Sequence, residues 1–287
     1  MSLVYEVKIT GLTQYPLKSA HGIALKEATV HCTGLELDRK WMIVDSQGEF
    51  QSQRNKPEMA TIQVAMLDKD KITVSHSSTS NLELKIINSA PQRVVTLHAE
   101  PYPALDCGQA ASEWVTKLFG KDEHGQNFRL VQFDPSKTRQ VRDTDSTFAI
   151  TEYADAFPFL VCHQATLDHL NRELEQRQLP AVDMSRFRPN IVIAGVESAL
   201  HAFAEYDFKD LISIDGEVHF SLVEPCSRCN VTSVEQETGT IRVKGQPLKT
   251  LVEINPLEKQ GAFFGMNAVL IKGHLARIKS DDRFYLI

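Results

Sequence analysis

The chain has no long hydrophobic run. No stretch approaches the ~18 consecutive apolar residues of a membrane span. The longest apolar runs, around Phe157–Cys162 and Ile191–Ala194, read as buried strands. The opening MSLVYEVKIT has a strand pattern and lacks the basic and apolar regions of a secretory signal. A cytoplasmic protein with no membrane partner is therefore expected. An excess of positive charge is also missing: 31 Lys+Arg face 37 Asp+Glu, a formal charge of −6. That argues against a general nucleic-acid binder, which needs a basic footprint, and leaves room for a local basic pocket that takes a small anion. Cysteine is scarce and odd in number, five in all, which is no disulfide framework in a reducing compartment. Cys32, Cys107 and Cys162 stand apart and read as small buried hydrophobes. Internal repeats, low-complexity tracts and charged tails are absent as well.

What is present is an ordinary globular composition, 42% hydrophobic and 24% charged over 287 residues, enough for one large or two ordinary domains. Strand-like pieces dominate the first hundred residues: Trp41–Val44, Ile72–Val74, Leu82–Ile87 and Val94–Leu97, broken by turn formers. Ala111–Phe119 reads as a helix with Ala111, Trp114, Val115 and Leu118 on one face and Gly120 ending it. Arg129–Phe133 reads as a strand and Thr138–Thr147 as a loop. Thr166–Gln178 is the clearest helix, with Leu167, Leu170 and Leu174 on one face, Thr166 as cap and Pro180 as stop. Strands follow at Ile191–Ala194, Glu217–Val223 and Ile241–Val243. The fold class is α+β, mostly β, with twisted sheets or a barrel and a boundary near residue 125.

One motif invites chemistry. EPCSRCNVTS holds Cys226 and Cys229 in a C-x-x-C spacing. A structural zinc site needs four ligands, but no second C-x-x-C or H-x-x-x-H exists, and His201, His219 and His274 are scattered. A thioredoxin-like pair needs a helix N-terminus, whereas the Asn-Val-Thr-Ser-Val that follows favours a strand and Pro225 suggests a turn at a strand end. Two readings remain level: a cysteine-containing turn without chemistry, or one thiolate acting as a soft ligand for a soft metal, with Arg228 favouring the ionised form of Cys229.

Basic residues recur in settings suited to anions. YPLKSAHG presents Lys18 and Ser19 in a turn, LDRKWMIVD places Arg39 before a buried strand, and SRFRPN sets Arg186 and Arg188 on one face if extended, a form that Pro189 favours. Arginine matches phosphate bidentately and lysine offers a point charge. Each alone is most simply a solvated charge.

Taken in order, YPLKSAHG, GLELDRKWMIVDSQGEFQSQR, RFRPNIVIAG, PCSRCNVTSVEQETG and FFGMN resemble the MOSC superfamily over nearly the whole chain. The resemblance is to members with an N-terminal MOSC β-barrel domain, the YcbX-like and mitochondrial amidoxime-reducing component types. It implies a MOSC_N domain over 1–124, a MOSC β-barrel domain over 125–287, and a molybdenum cofactor, a phosphate-bearing pterin dithiolene. The carried-over metal ligand and catalytic residue is Cys229. The carried-over cofactor contacts are Lys18, Ser19, Arg39, Arg188, Ser227 and Arg228, with Asn190 beside them and Asn267 in the pocket. Cys226 is left as a bystander. Asn267 stands where the mitochondrial type has tyrosine, Phe208 replaces a tryptophan, and Ser280-Asp281 replaces a closing Gly-Asp turn. YcbX-like proteins often continue into a ferredoxin domain; no cysteine follows Phe264, so no such domain is expected here.

The activity implied is reduction of N-hydroxylated compounds (hydroxylamines, amidoximes, N-hydroxylated base analogues), with electrons from a separate ferredoxin or flavoprotein reductase. His21 and His163 are candidate proton donors. The alternatives are a sulfur carrier of the molybdenum-cofactor sulfurase type, using a Cys229 persulfide, and a non-enzymatic module with an inert or zinc-bound pair. Pyridoxal phosphate binding is a further superfamily-level association. All of the cofactor expectations require Lys18, Arg39, Arg188 and Cys229 to line one pocket between the two parts of the chain.

Overall fold

The computed structural model describes residues 4–142, 148–196 and 200–287. Its centre is a closed barrel of seven strands: β1 (Tyr5–Gln14), β2 (Phe159–His163), β3 (Ile191–Gly195), β4 (Asp210–Ser213), β5 (His219–Ser227), β6 (Phe263–Lys272) and β7 (Arg283–Leu286). The spatial order is β3-β2-β6-β5-β4-β7-β1, and β1 returns to pair with β3. Only β2 and β3 run parallel, because they are joined by the crossover helix α2 (Gln164–Gln176). Closure removes both sheet edges. It depends on β1, from the far end of the chain, which pairs with β3 on one side and β7 on the other.

Alternating apolar residues fill the barrel. On β1, Val7 and Ile9 point inward, a register shift between Ile9 and Gly11 resets the alternation, and Leu12 points inward next. Phe159, Val161, Ile191, Ile193, Phe220 and Leu222 join them from other strands. Outside the barrel, α2 buries Leu167, Leu170 and Leu174 against Leu160, Cys162 and Phe264, each such side chain contributing about 1.5–3 kcal/mol. Gly265, at φ +76°, lets β6 pass there: a Cβ would lie 2.5 Å from Cys162 Sγ.

A second sheet has the order Trp41–Val44, Arg129–Phe133, Glu100–Asp106, Gln92–Leu97. Helix α1 (Gln109–Phe119) covers one face, with Ala111, Trp114 and Val115 packed on Trp41, Ile43 and Leu130. Gly120 caps its end at φ 75°. Gln63–Asp68, Lys71–His76 and Thr79–Lys85 form a separate meander. No helix among the described residues is long and apolar enough to cross a membrane.

Several local expectations change. The Thr138–Thr147 stretch contains a strand, Arg139–Arg142, paired with Phe148–Thr151; positions 143–147 lie outside the described residues. Ile241–Val243 is not a strand. Helix α2 starts two residues before Thr166. His163 is its cap, Nδ1 accepting from the Ala165 N–H at 3.1 Å, and Thr166 instead donates to buried Glu205. Cys162 is buried as expected, but Cys32 is exposed.

Candidate active site

Against the outer wall of the barrel, where β2, β6 and β5 lie side by side, is a cavity of about 290 Å³. Lys18, Ser19, Arg39, Arg188 and Asn190 line it from the loops, and Ser227, Arg228, Cys229 and Asn267 from the barrel side. All nine residues named from the resemblance therefore meet on one cavity, between the N-terminal loops and the barrel.

The turn carrying Lys18 is tied to the second sheet by the Lys18 N–H, which donates to Trp41 O at 2.8 Å. Lys18 is only 5% exposed. Its ammonium donates to Tyr153 O at 2.7 Å and to the Asp155 carboxylate. Burial pulls the Lys18 pKa down and Asp155 opposes the shift. Burial works against the Asp155 charge too, yet Lys18, His98 and Arg54 hold that carboxyl well below its ordinary value. Half of the Asp155 side chain stays open, so the pair is a tethered surface of the cavity and not a sealed core ion pair.

Arg39 and Arg188 both lie on the Tyr15 ring, their guanidinium carbons 4.3 and 4.2 Å from its centroid, a favourable cation–π arrangement. The Tyr15 hydroxyl donates to Pro189 O at 3.2 Å, and Gly22 leaves room for the ring, since a Cβ there would lie 2.5 Å from it. Arg39 also pairs with Asp38 and donates to Arg188 O at 3.2 Å. Arg188 donates to Ala20 O at 2.7 Å and Gln236 Oε1 at 3.2 Å. Burial lowers its pKa to about 10. Ser19, Arg39 and Arg188 have φ of 68°, 50° and 55°. Left-handed conformations in non-glycine residues cost energy and gather at functional sites; three here share one cavity. Arg188 is accordingly not extended despite Pro189. A short turn, Met184–Phe187, precedes it, and Arg186 points away to pair with Glu235 at 3.1 Å.

Strand β5 runs into the C-x-x-C motif and ends at Ser227. The β-branched run after Cys229 forms a 3-10 turn, Asn230–Ser233, and not the expected strand, because Thr232 turns back to bond Cys229 O through both its N–H and its hydroxyl. The Arg228 guanidinium faces Cys226, not Cys229: Nη1 lies 2.9 Å from Cys226 Sγ, Nη2 donates to Phe187 O at 2.7 Å, and the buried Nε has no partner. Cys226 thus holds a half-buried arginine and is no bystander. The cation beside Cys229 is Arg54, whose pKa is lowered by burial but raised on balance by Asp155 and Cys229.

Asn190 is 2% exposed. Its side chain accepts from Leu160 N–H at 3.2 Å and donates to Thr13 O at 3.3 Å, pinning β2 to β1. Asn267 donates to Glu224 Oε1 at 3.3 Å. Neither candidate proton donor reaches the cavity: His21 lines a separate pocket, and burial lowers the His163 pKa to about 4. Arg54, Asp155 and Glu224 line the cavity and were missed. Arg54 closes a quoted motif and carried a signal; Asp155 and Glu224 carried none.

Residues 6–122 match the MOSC N-terminal beta barrel domain and residues 149–285 match the MOSC domain. The chain belongs to the MOSC family. It is 31% identical to mitochondrial amidoxime-reducing component 1 of Homo sapiens over 95% of this chain and 81% of that protein. It is 33% identical to mitochondrial amidoxime-reducing component 1 of Mus musculus, over 83% and 68%. A molybdenum cofactor sulfurase of Oryza sativa subsp. japonica is 25% identical over 86% of this chain, but over only 31% of its own length. None of these descriptions mentions pyridoxal phosphate, and that association is dropped.

Proposed function

We propose that this MOSC protein is a molybdenum-cofactor-dependent reductase of N-hydroxylated compounds, with an external electron donor. One observation carries the reading: Cys229 lines a cavity ringed by Lys18, Arg39, Arg54, Arg188 and Arg228, while Cys226, the other cysteine there, is engaged by Arg228. The donor set fits the group. An anionic phosphate and polar pterin call for cations and N–H donors, and Arg228 keeps a buried, unpartnered Nε. Among the described residues no cluster of three or more His, Cys, Asp and Glu is placed to hold a metal. A metal at Cys229 would therefore have fewer than three such protein ligands and bring the rest with it.

In this reading Cys229 binds and tunes the metal, and Arg39 and Arg188, held on Tyr15, fix the phosphate. Lys18 and Arg54 set the local potential from the Asp155 side, and Phe157, Phe187 and Phe263 limit water. When bound, the cofactor supplies a metal centre that takes the oxygen of the N–O bond and passes on two electrons. The net reaction joins R–NHOH, two electrons and two protons to give R–NH2 and water. The electrons come from a ferredoxin or flavoprotein reductase. The amidoxime-reducing relatives support this reading. The sulfurase likeness supports the persulfide alternative less, since it spans under a third of that protein.

The test is metal and pterin analysis of protein made with intact cofactor synthesis, alongside reduction of N-hydroxybenzamidine by a chemical reductant. Molybdenum near one per chain, lost with activity in Cys229→Ala, is expected. Full retention of molybdenum in that variant would overturn the assignment.

A further inference from the structure

Within this cationic cavity one wall is different. Leu160 on β2 pairs with Asn267 on β6, and Asn267 pairs with Glu224 on β5, so the three form a row across adjacent strands. All three face the cavity. Glu224 faces it because of an irregularity. Leu222, two residues earlier, points into the barrel core, and regular alternation would send Glu224 the same way. The register shifts between Leu222 and Glu224, leaving Val223 as an extra residue. Such bulges re-aim side chains beside active sites. Here the bulge brings Glu224 opposite Asn267, outside the barrel, whereas Leu222 opposes inward-facing Ala268.

The carboxylate so placed is in no direct salt bridge among the described residues. Asp155, the other cavity acid, is engaged by Lys18 and Arg54. Glu224 has no ion pair among the described residues, and its recorded partner is the neutral amide of Asn267, which orients one oxygen. Lys259, at the same end, lies over the Phe263 ring at 5.6 Å. The wall thus joins apolar surface from Leu160 and Phe263 to one oriented carboxylate that has no direct ion pair among the described residues. A half-buried carboxylate is acceptor-only and is matched by a partner that presents several N–H donors.

Building on the reductase reading, we propose that Glu224 is the specificity residue of this site. It receives the N–H donors of the amidine or guanidine group that the substrate carries. N-hydroxylated amidines and guanidines are thereby held in preference to N-hydroxyl compounds without such a group, and their apolar substituent lies on Leu160 and Phe263.

Binding of two isosteric probes to the cofactor-loaded protein tests this. Benzamidine is a cation at neutral pH with four N–H donors; benzamide is neutral. Wild type should bind benzamidine at least about tenfold more tightly than benzamide, and Glu224→Gln should bring the ratio to within about twofold. Equal affinities in wild type, or an unchanged ratio in Glu224→Gln, would overturn the inference, and the wild-type comparison stands even if the variant fails to fold. The two readings fail separately. Unchanged probe binding with continued reduction of N-hydroxybenzamidine sinks the role of Glu224 and leaves the reductase. A Glu224-dependent ratio in protein that neither takes up molybdenum nor reduces that compound keeps the carboxylate site and sinks the reductase.

Discussion

The two cysteines of the C-x-x-C motif should fail in different ways. Cys226 Sγ is one of two acceptors for the half-buried Arg228 guanidinium; Phe187 O is the other, and the buried Nε has none. Cys226→Ala leaves one of the three nitrogens satisfied. Stranding a charged donor that is only partly buried costs about 1–2 kcal/mol. Total stability is typically only about 5–15 kcal/mol, so a clear fall in the urea midpoint is expected. Cys226→Ser keeps an acceptor and should lose about 1 kcal/mol or less. Cys229→Ser touches no comparable buried network and should unfold near the wild-type midpoint, yet lose its molybdenum and all reductase activity. Equilibrium unfolding by tryptophan fluorescence, read beside metal content, separates the effects. A Cys226→Ala protein as stable as wild type would refute the role given to Cys226, and a Cys229→Ser protein with full metal would refute the ligation.

Asn190→Ala removes the clamp between β1 and β2 and leaves the buried Leu160 N–H without its side-chain acceptor. A loss of about 2–4 kcal/mol in chemical unfolding is expected, from two hydrogen bonds at about 1–2 kcal/mol each; an unchanged midpoint would instead point to a cofactor contact. Burial raises the Glu205 pKa to about 7, against the Thr166 hydroxyl and nearby N–H groups. Because the folded state then holds the proton more tightly than the unfolded chain, stability should fall by roughly 3 kcal/mol as pH rises from about 4.5 to 7. Glu205→Gln should flatten that slope, and a slope that persists in the variant counts against it. Asp155 has the opposite sign. Its depressed pKa gives stability that is present above about pH 4 and lost on acidification. Asp155→Asn should remove this component from the acid unfolding curve, and identical curves would show that the Lys18 and Arg54 pairing carries no net stability.

Short stretches of sequence carried the two longer helices, several strands and nine of the residues that line the cavity, because each rests on neighbours along the chain. Leucines at helical spacing mark α2, Lys18 and Arg39 sit in turns beside apolar strands, and a lone C-x-x-C marks Cys229. Which of those residues meet, and what each one faces, was decided by tertiary structure. Arg186 and Arg188 are two residues apart and alike in sequence, yet a left-handed backbone turns only Arg188 to the cavity, while Glu235 takes Arg186. Asp155 joins Lys18 from 137 positions away. The bulge at Val223 decides that Glu224 faces the site and not the barrel core. Chain spacing encodes local periodicity and turn chemistry. Burial, long-range pairing and strand register exist only once β1 has closed the barrel, and they set the chemistry of this cavity.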